Sequence, residues 1–536
     1  MNAGEGRAVS KVRNASDESI WTPMKSSDPL LKCVGRMAMV TALAATMIAL
    51  VLMTMQAFAA DGVAAPRQGE RRPGPEAEGK RSGGKGEGRL PTLAFRTEVP
   101  AHAVDLILGR PTADSVTLSI LSYEGVEGLV AFGSEVSALT TRTPLRKFNK
   151  DSPVEVELTG LRPNTRYSYQ FQSRAEGRGD LKVSAEGSFT TARPPGSQFV
   201  FTVQADSHLD FGTDPEIYKK SLANVLAARA DFHVDLGDTF MTDKRTDYRD
   251  ALPHYIAQRY YFGLVGADVP VFLVLGNHDG EQPGKGGGDA MALWSNAQRK
   301  KYFPNPEPNA FYSGNATPHP KAGLLQNYYA FEWGDGLFIA LDPYWYSHDR
   351  NRGGDNWGRT LGREHYEWLR KTLAASRAKF TFVFLHHLVG GETREGRGGS
   401  EAAAFFEWGG CDLDGRESFA QKRPGWDAPI HRLLLRRGGG VVVFHGHDHL
   451  YAQQERDGIV YQLVPQPGHS RFDNIRSAGD YGYKSGVIAG ASGILRVNVS
   501  AQQALVEYVR AYQENAENGT RKTGAVSHRY TVAPAK

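Results

Sequence analysis

Cysteine is nearly absent from this 536-residue chain, which holds only Cys33 and Cys411. Cys33 precedes an apolar run that is expected to be removed. The mature chain then keeps one thiol and forms no internal disulfide. Cys411 reads as a plain thiol, because no second cysteine or histidine stands beside it at ligand spacing. Stability must therefore come from a buried core, which a chain of this length can build. Charge of one sign is also lacking, since the net charge is only +4. Residues 65–89 hold seven Lys or Arg against four Glu, a local surplus of three. No basic stripe interleaved with aromatics accompanies that cluster, so no nucleic-acid scaffold is expected as a partner. No internal repeat is visible. Hydrophobic content of 40% and charged content of 23% place the chain among ordinary globular proteins.

The first segment reads as a targeting signal. Lys25, Lys32 and Arg36 precede an apolar run from Met37 to about Met55, and Ala57-Phe58-Ala59 supplies a small-x-small cleavage pattern. Residues 1–60 are expected to be a signal-peptide region, cleaved near Ala59 or Ala60, that exports the rest to the periplasm or the exterior. Met24 as the true start would give a more ordinary signal length. The run is near the minimum for a membrane span, so an uncleaved N-terminal membrane anchor is the alternative.

Residues 61–91 are rich in Gly, Pro, Arg and Glu without apolar periodicity, and predict a disordered basic linker. Residues 92–195 then read as short strands. Val104–Leu108 and Val116–Ile120 are two of them. Val154, Val156 and Leu158 alternate with polar residues, as do Tyr167, Tyr169 and Phe171. Turn chemistry at Leu161-Arg162-Pro163-Asn164-Thr165 joins two of these runs. Such spacing without helical pattern predicts a β-sandwich.

From Phe199 the pattern becomes alternating strand and helix. Strands are expected at Phe199–Val203, Phe232–Leu236, Val269–Leu275, Phe380–Leu385 and Val441–Phe444, with helical spacing at Ile217, Leu222, Val225 and Leu226 and at Trp368, Leu369 and Leu373. This is an α/β pattern. Strands at Ile459–Val464, Ile494–Val499 and Ala504–Val509 are expected to complete a second sheet. The fold class that follows is a two-sheet β-sandwich flanked by helices over residues 196–515. Residues 516–536 are expected to be a flexible C-terminal tail.

Five motifs fall just after those strands: Asp206-Ser207-His208, Gly237-Asp238, Gly276-Asn277-His278-Asp279, His386-His387 and Gly446-His447-Asp448-His449. In α/β folds, ligands gather at the carboxyl ends of strands. Carboxylate, amide and imidazole donors without thiolate suit zinc, manganese or iron. Seven candidate ligands exceed the needs of one four-coordinate site. The economical reading is two metal ions, divalent or trivalent, that share a carboxylate and generate a bridging hydroxide as nucleophile. One ion would take Asp206, His208, Asp238 and His449. The other would take Asp238, Asn277, His386 and His447. His278 is left free to face the substrate, to stabilise phosphoryl charge or protonate the leaving oxygen. Asp279 is expected to orient its imidazole.

These blocks resemble the calcineurin-like metallophosphoesterase superfamily, whose pattern is D-x-H, G-D, G-N-H-D/E, H and G-H-x-H. The segment "LRPNTRYSYQF" with "GSFTTA" resembles a fibronectin type III-like domain. Together they are most similar to the purple acid phosphatase branch. That branch carries a tyrosine three residues after the G-D aspartate, where Met241 stands here, and lacks the histidine present as His208. The resemblance thus implies imidazole in place of phenolate on the first ion, and no purple colour. It implies an exported phosphoesterase that acts without a phosphoenzyme on a small phosphate ester. A phosphomonoesterase is expected first, and a phosphodiesterase or nucleotidase of the same superfamily is the alternative.

Two rival classes fit less well. A non-catalytic extracellular binding protein does not need a complete ligand set. A metallo-β-lactamase-like hydrolase needs an H-x-H-x-D-H run that is missing. Other candidates read first as structural. His233 lies inside a strand. Tyr344, Trp345 and Tyr346 read as packing before substrate wall. Arg394 and Arg397 read as a solvated loop before a phosphate clamp. His254, His348 and His469 carry no assignment.

Overall fold

The computed structural model of the protein describes residues 94–134, 139–285, 288–347, 355–391 and 397–536. The expected signal region and linker lie outside the described residues, as do His348 and Arg394. Among the described residues no helix is long and apolar enough to cross a membrane.

Between Val104 and Thr190 two antiparallel sheets form. β1 (Val104–Gly109), β2 (Ser115–Ser122) and β6 (Val154–Thr159) make one. β3 (Val126–Gly133), β4 (Thr141–Arg142), β5 (Arg146–Phe148), β7 (Arg166–Ala175) and β8 (Lys182–Thr190) make the other. Period-two alternation decides which side chains face inward. In β6, Val156 and Leu158 are buried while Glu157 and Thr159 are exposed. Their core partners include Leu106, Leu118, Tyr169, Phe171 and Phe189. The Tyr167 hydroxyl accepts the Arg162 N–H at 2.9 Å and closes the turn before β7. This is the all-β sandwich expected ahead of the α/β part.

The second part holds two further sheets. In one, β9 (Phe199–Gln204), β10 (Phe232–Asp235) and β11 (Val271–Leu273) pair in parallel, and β20 (Gly493–Val499), β21 (Ala504–Arg510) and β22 (Val526–Val532) continue antiparallel from β9. In the other, β14 (Gly336–Ala340), β15 (Phe380–Phe384), β16 (Val441–His445) and β18 (Ile459–Leu463) form a parallel centre. It is flanked by β12 (Ser313–Gly314) and β13 (Tyr329–Trp333) on one side and β17 (Tyr451–Arg456) and β19 (Val487–Ala489) on the other. The sheets face one another across phenylalanines. Phe338 meets Phe201 at 5.2 Å and Phe232 at 5.1 Å, both edge to face, and Phe201 meets Phe382 at 5.0 Å. Each such pair contributes about 0.5–1.5 kcal/mol beyond area burial.

The longer helices are α1 (Pro215–Ala227), α2 (Leu252–Gly266), α3 (Gly288–Tyr302), α4 (Arg363–Ala375) and α5 (Ile430–Leu435). Asp214 starts α1, its carboxylate accepting the Glu216 and Ile217 N–H groups, with Pro215 in the first turn. Tyr218, Leu222 and Val225 of α1 pack with Ile494 and Val509 of the first sheet. Tyr366, Leu369 and Leu373 of α4 pack with Ile339 and Val383 of the second.

α2 also joins the sandwich. Arg259, fully buried, donates to Ser119 Oγ at 3.0 Å and to Ser119 O at 2.8 Å, and reaches the Tyr302 carbonyl. The Tyr169 hydroxyl donates to Ala267 O at 2.8 Å.

Two expectations are corrected. The three late strands do not share one sheet: β18 is a centre strand of the second, whereas β20 and β21 extend the first. Residues 526–532, assigned to a loose tail, form the edge strand β22 on β21. Only Val532 of that strand is buried, so its sequence carries little apolar signal.

Candidate metal centre

Five motif loops leave the carboxyl ends of β9, β10, β11, β15 and β16 and meet between the two sheets. Their backbones are forced close. Gly237 has φ 92° and a Cβ there would fall 2.1 Å from the Gly276 nitrogen; a Cβ on Gly276 would fall 1.9 Å from the Asp238 nitrogen. Only glycine permits this contact between the second and third motifs. A Cβ on Gly446 would lie 2.7 Å from Ala205 Cβ and 2.9 Å from Asp206 Oδ2. Asp206, Asp238, His447 and His449 all have positive φ, at 63°, 54°, 82° and 59°. Non-glycine residues in this region store strain, and here four of them are candidate ligands.

The donor atoms converge in two groups. Asp206, His208 and His449 present one set within 4.8 Å of one another, and Asp238, His386 and His447 present a second. Asp206 Oδ1 lies 3.5 Å from His208 Nε2 and 3.6 Å from His449 Nε2. His386 Nε2 lies 3.1 Å from Asp238 Oδ2 and 3.2 Å from His447 Nδ1. Metal–ligand bonds of ~2.1 Å in a tetrahedron give a ligand–ligand edge of about 3.4 Å. The observed separations match that edge. His386 Nε2 is also 3.7 Å from Asp206 Oδ1, so the two groups adjoin.

Unsatisfied atoms point the same way. Asp206 Oδ1, His208 Nε2 and Asn277 Oδ1 are buried and hydrogen-bond to nothing among the described residues. Such groups are costly to leave alone, and cations would satisfy all three. The outer atoms are already committed. The Leu236 carbonyl accepts from His386 Nδ1 at 3.0 Å, which leaves Nε2 facing the site. Asp210 Oδ2 lies 3.4 Å from His208 Nδ1. Asp206 Oδ2 accepts the His447 N–H at 2.8 Å, and Asp238 Oδ1 the His278 N–H at 2.7 Å.

Without cations the cluster is polarised. Burial works against the charge on His208, but the adjacent Asp206 and Asp210 carboxylates hold it up to about 10. Burial also opposes charge on His386, yet Asp238 and Asp206 raise it to about 9. Asp238 is buried too, and the neighbouring His386 and His278 hold its carboxyl well below the usual range. His449, at 39% side-chain exposure, and His278, at 21%, form the open side of the cluster.

His278 and Asp279 do not pair as expected. The Asp279 carboxylate is filled by backbone: Oδ1 accepts the Thr239 and Phe240 N–H groups, each at 2.8 Å, and Oδ2 those of Gly276 at 2.7 Å and Asp238 at 3.1 Å. It staples the second motif to the third. The imidazole is held instead by Asp243, whose oxygens lie 2.9 and 3.1 Å from His278 Nδ1. The reason is directional: β11 and the Gly276 turn aim Asp279 back at the β10 loop, away from the ring that follows Asn277.

Asp210, Asp243 and Lys285 are the neighbours that sequence reasoning passed over. Asp210 stood two residues after His208, a legible spacing, while Lys285 had no local signal. Gln258 of α2 bridges the first two motifs, donating to Ser207 Oγ at 2.9 Å and Thr239 O at 3.0 Å. Arg397, read as a solvated loop residue, is ion-paired with Asp448 and lies over Tyr481 at 3.7 Å. His233 is buried in β10 and bonded to Thr202 at 2.8 Å. Tyr344 and Trp345 are buried, with Tyr344 edge-on to His387 at 5.1 Å.

Residues 199–451 match the family model for the calcineurin-like phosphoesterase. That segment is a calcineurin-like metallophosphoesterase domain, and the chain is thus a hydrolase of phosphoric ester bonds. Among solved structures, one described as PhoD is similar over 84% of this chain and 92% of its own, at 16% identity and a TM-score of 0.55. The purple acid phosphatase PPD1 from yellow lupin (Lupinus luteus) seeds is similar over 80% of this chain and 74% of its own, at 15% identity and a TM-score of 0.52. At those identities the likeness is one of fold. No curated protein matched the sequence.

Proposed function

We propose that this chain is an exported dinuclear phosphoesterase acting on small phosphomonoesters. The observation that carries the reading is the pair of adjoining donor groups, together with three buried ligand atoms, on Asp206, His208 and Asn277, that have no hydrogen-bond partner among the described residues. Asp206, His208 and His449 would hold one ion, and Asn277, His386 and His447 the other, with Asp238 shared. When bound, two such ions supply an acidified water and screen the charge of the phosphoryl group. The domain family favours this chemistry.

The chain's own residues do the rest. His386, His208 and the two aspartates keep the donor atoms in place through their outer hydrogen bonds. His278 stands on the open side, where it donates to the leaving oxygen, and Asp243 sets its ring. Asp243 holds Nδ1 of the ring, and the other ring nitrogen, Nε2, lies 3.1 Å from Asn277 Nδ2 beside the proposed ions. Met241, buried with φ 49°, occupies the position of the tyrosine in purple enzymes, so His208 takes the phenolate's place on the first ion.

The test is hydrolysis of p-nitrophenyl phosphate and bis(p-nitrophenyl) phosphate by metal-stripped protein, resupplied singly with Mn, Zn or Fe. Restored turnover with monoester preferred supports the reading. A diester preference moves the chain to the phosphodiesterases, and no turnover of either by folded, metal-loaded protein contradicts it.

A further inference from the structure

A buried lysine stands beside this apparatus without an assigned role. Lys285 and Asp243 are each 8% exposed in their side chains. Lysine is rarely buried unless paired. The Lys285 ammonium lies 2.8 Å from Asp243 Oδ2 and donates to the Asn277 carbonyl.

Those two contacts bear on one peptide unit. The Asn277–His278 peptide has its carbonyl bound by Lys285 and its N–H bound by Asp238 Oδ1 at 2.7 Å. It is therefore clamped from both sides. The ring that leaves this peptide is held by Asp243, and Asp243 is in turn held by Lys285. A carboxylate with an imidazole alone can swing about its χ angles. A second cation on the far oxygen fixes its plane. The Lys285 backbone is itself anchored, as its N–H donates to Gln282 O at 3.2 Å and Gln282 Nε2 donates to Ser347 O at 3.3 Å.

We propose that Lys285 is a positioning residue for His278, holding both Asp243 and the Asn277 carbonyl so that the imidazole stays aimed at the leaving oxygen. This rests on the reading of His278 as proton donor. A direct grip on substrate phosphate is disfavoured by the burial of Lys285 and by the two hydrogen-bond acceptors its ammonium already serves.

The experiment compares a good leaving group, p-nitrophenolate, with a poor one, the alkoxide of glycerol phosphate. Metal-loaded full-length protein is measured as wild type, Lys285→Met, His278→Ala and the double variant. General acid catalysis is worth ~10²–10⁴-fold and matters only where the leaving oxygen needs a proton. Lys285→Met is expected to lower kcat for glycerol phosphate about tenfold more than for p-nitrophenyl phosphate, a fraction of that full effect because the imidazole is still present. KM should stay near the wild-type value, and the His278→Ala background should show no further loss. Equal losses on both substrates, a raised KM, or losses that add to those of His278→Ala overturn the inference. If His278→Ala itself affects both substrates equally, the proton-donor reading fails and this inference falls with it. If His278→Ala discriminates and Lys285→Met does not, only the role of Lys285 is lost. Lys285→Gln keeps a donor for the Asn277 carbonyl but removes the charge, and reads the same quantities should Lys285→Met not fold.

Discussion

Asp279→Asn separates a staple from an orienting residue. In the wild-type protein both oxygens of Asp279 are used twice, on four backbone N–H groups of two motif loops. Asparagine keeps one acceptor oxygen. The other position becomes an NH2 that faces two N–H donors, so two buried amides lose their partner. Each such loss costs about 1–3 kcal/mol, or ~2–6 kcal/mol for the pair. A domain's whole stability is roughly 5–15 kcal/mol, so the effect is large. Because the loops carry Asp238 and Asn277, metal should be lost with stability. The assay is the urea midpoint together with metal content by mass spectrometry, followed by kcat on p-nitrophenyl phosphate and glycerol phosphate. A variant that keeps both ions and shifts stability by under about 0.5 kcal/mol refutes the staple. A selective loss on glycerol phosphate in that intact variant would return Asp279 to the orienting role first read from the sequence.

Other outcomes follow from the same geometry. Gly446→Ala drives a methyl against Ala205 and Asp206, an overpacking worth ~1–3 kcal/mol, and should weaken the first ion more than the second; unchanged affinity for both ions in a titration contradicts this. Metal loading should release about two protons near pH 7.5, because His208 and His386 are raised to about 10 and about 9 in metal-free protein. A raised histidine stabilises the metal-free fold fully below its ordinary value of ~6.5, and that contribution fades as pH climbs through about 9 to 10, so metal affinity should rise with pH. Calorimetry in buffers of different ionisation heat reads the proton count, and a count of zero is the adverse result. Arg259→Leu strands the Ser119 and Tyr302 carbonyls at the seam between sandwich and α/β domain. At ~1–3 kcal/mol each this should lower the thermal midpoint by several degrees, and a shift under about 1 °C argues against a seam role for Arg259.

Much of the site was legible because its chemistry is local. Each ligand type stands next to a glycine at a strand end, and Gly237, Gly276 and Gly446 prove to be where loops touch backbone to backbone. What escaped was contact through space. Asp243 reaches His278 from the loop after β10, and Lys285 reaches Asp243 and the Asn277 carbonyl from the turn before α3. Neither has a spacing that marks it. α2 was missed for a different reason: it buries His254, Tyr255, Gln258, Arg259 and Phe262 on several faces, so no apolar stripe shows. β22 was missed because an edge strand with one buried residue has almost no alternation to read.

The most direct measurement is the number of metal ions per chain, by mass spectrometry on purified protein and on the Asp238→Ala variant. A dinuclear site with Asp238 shared predicts two ions in the wild type and loss of both, together with hydrolysis, in the variant. One ion in the wild type, or two ions retained without Asp238, would contradict it.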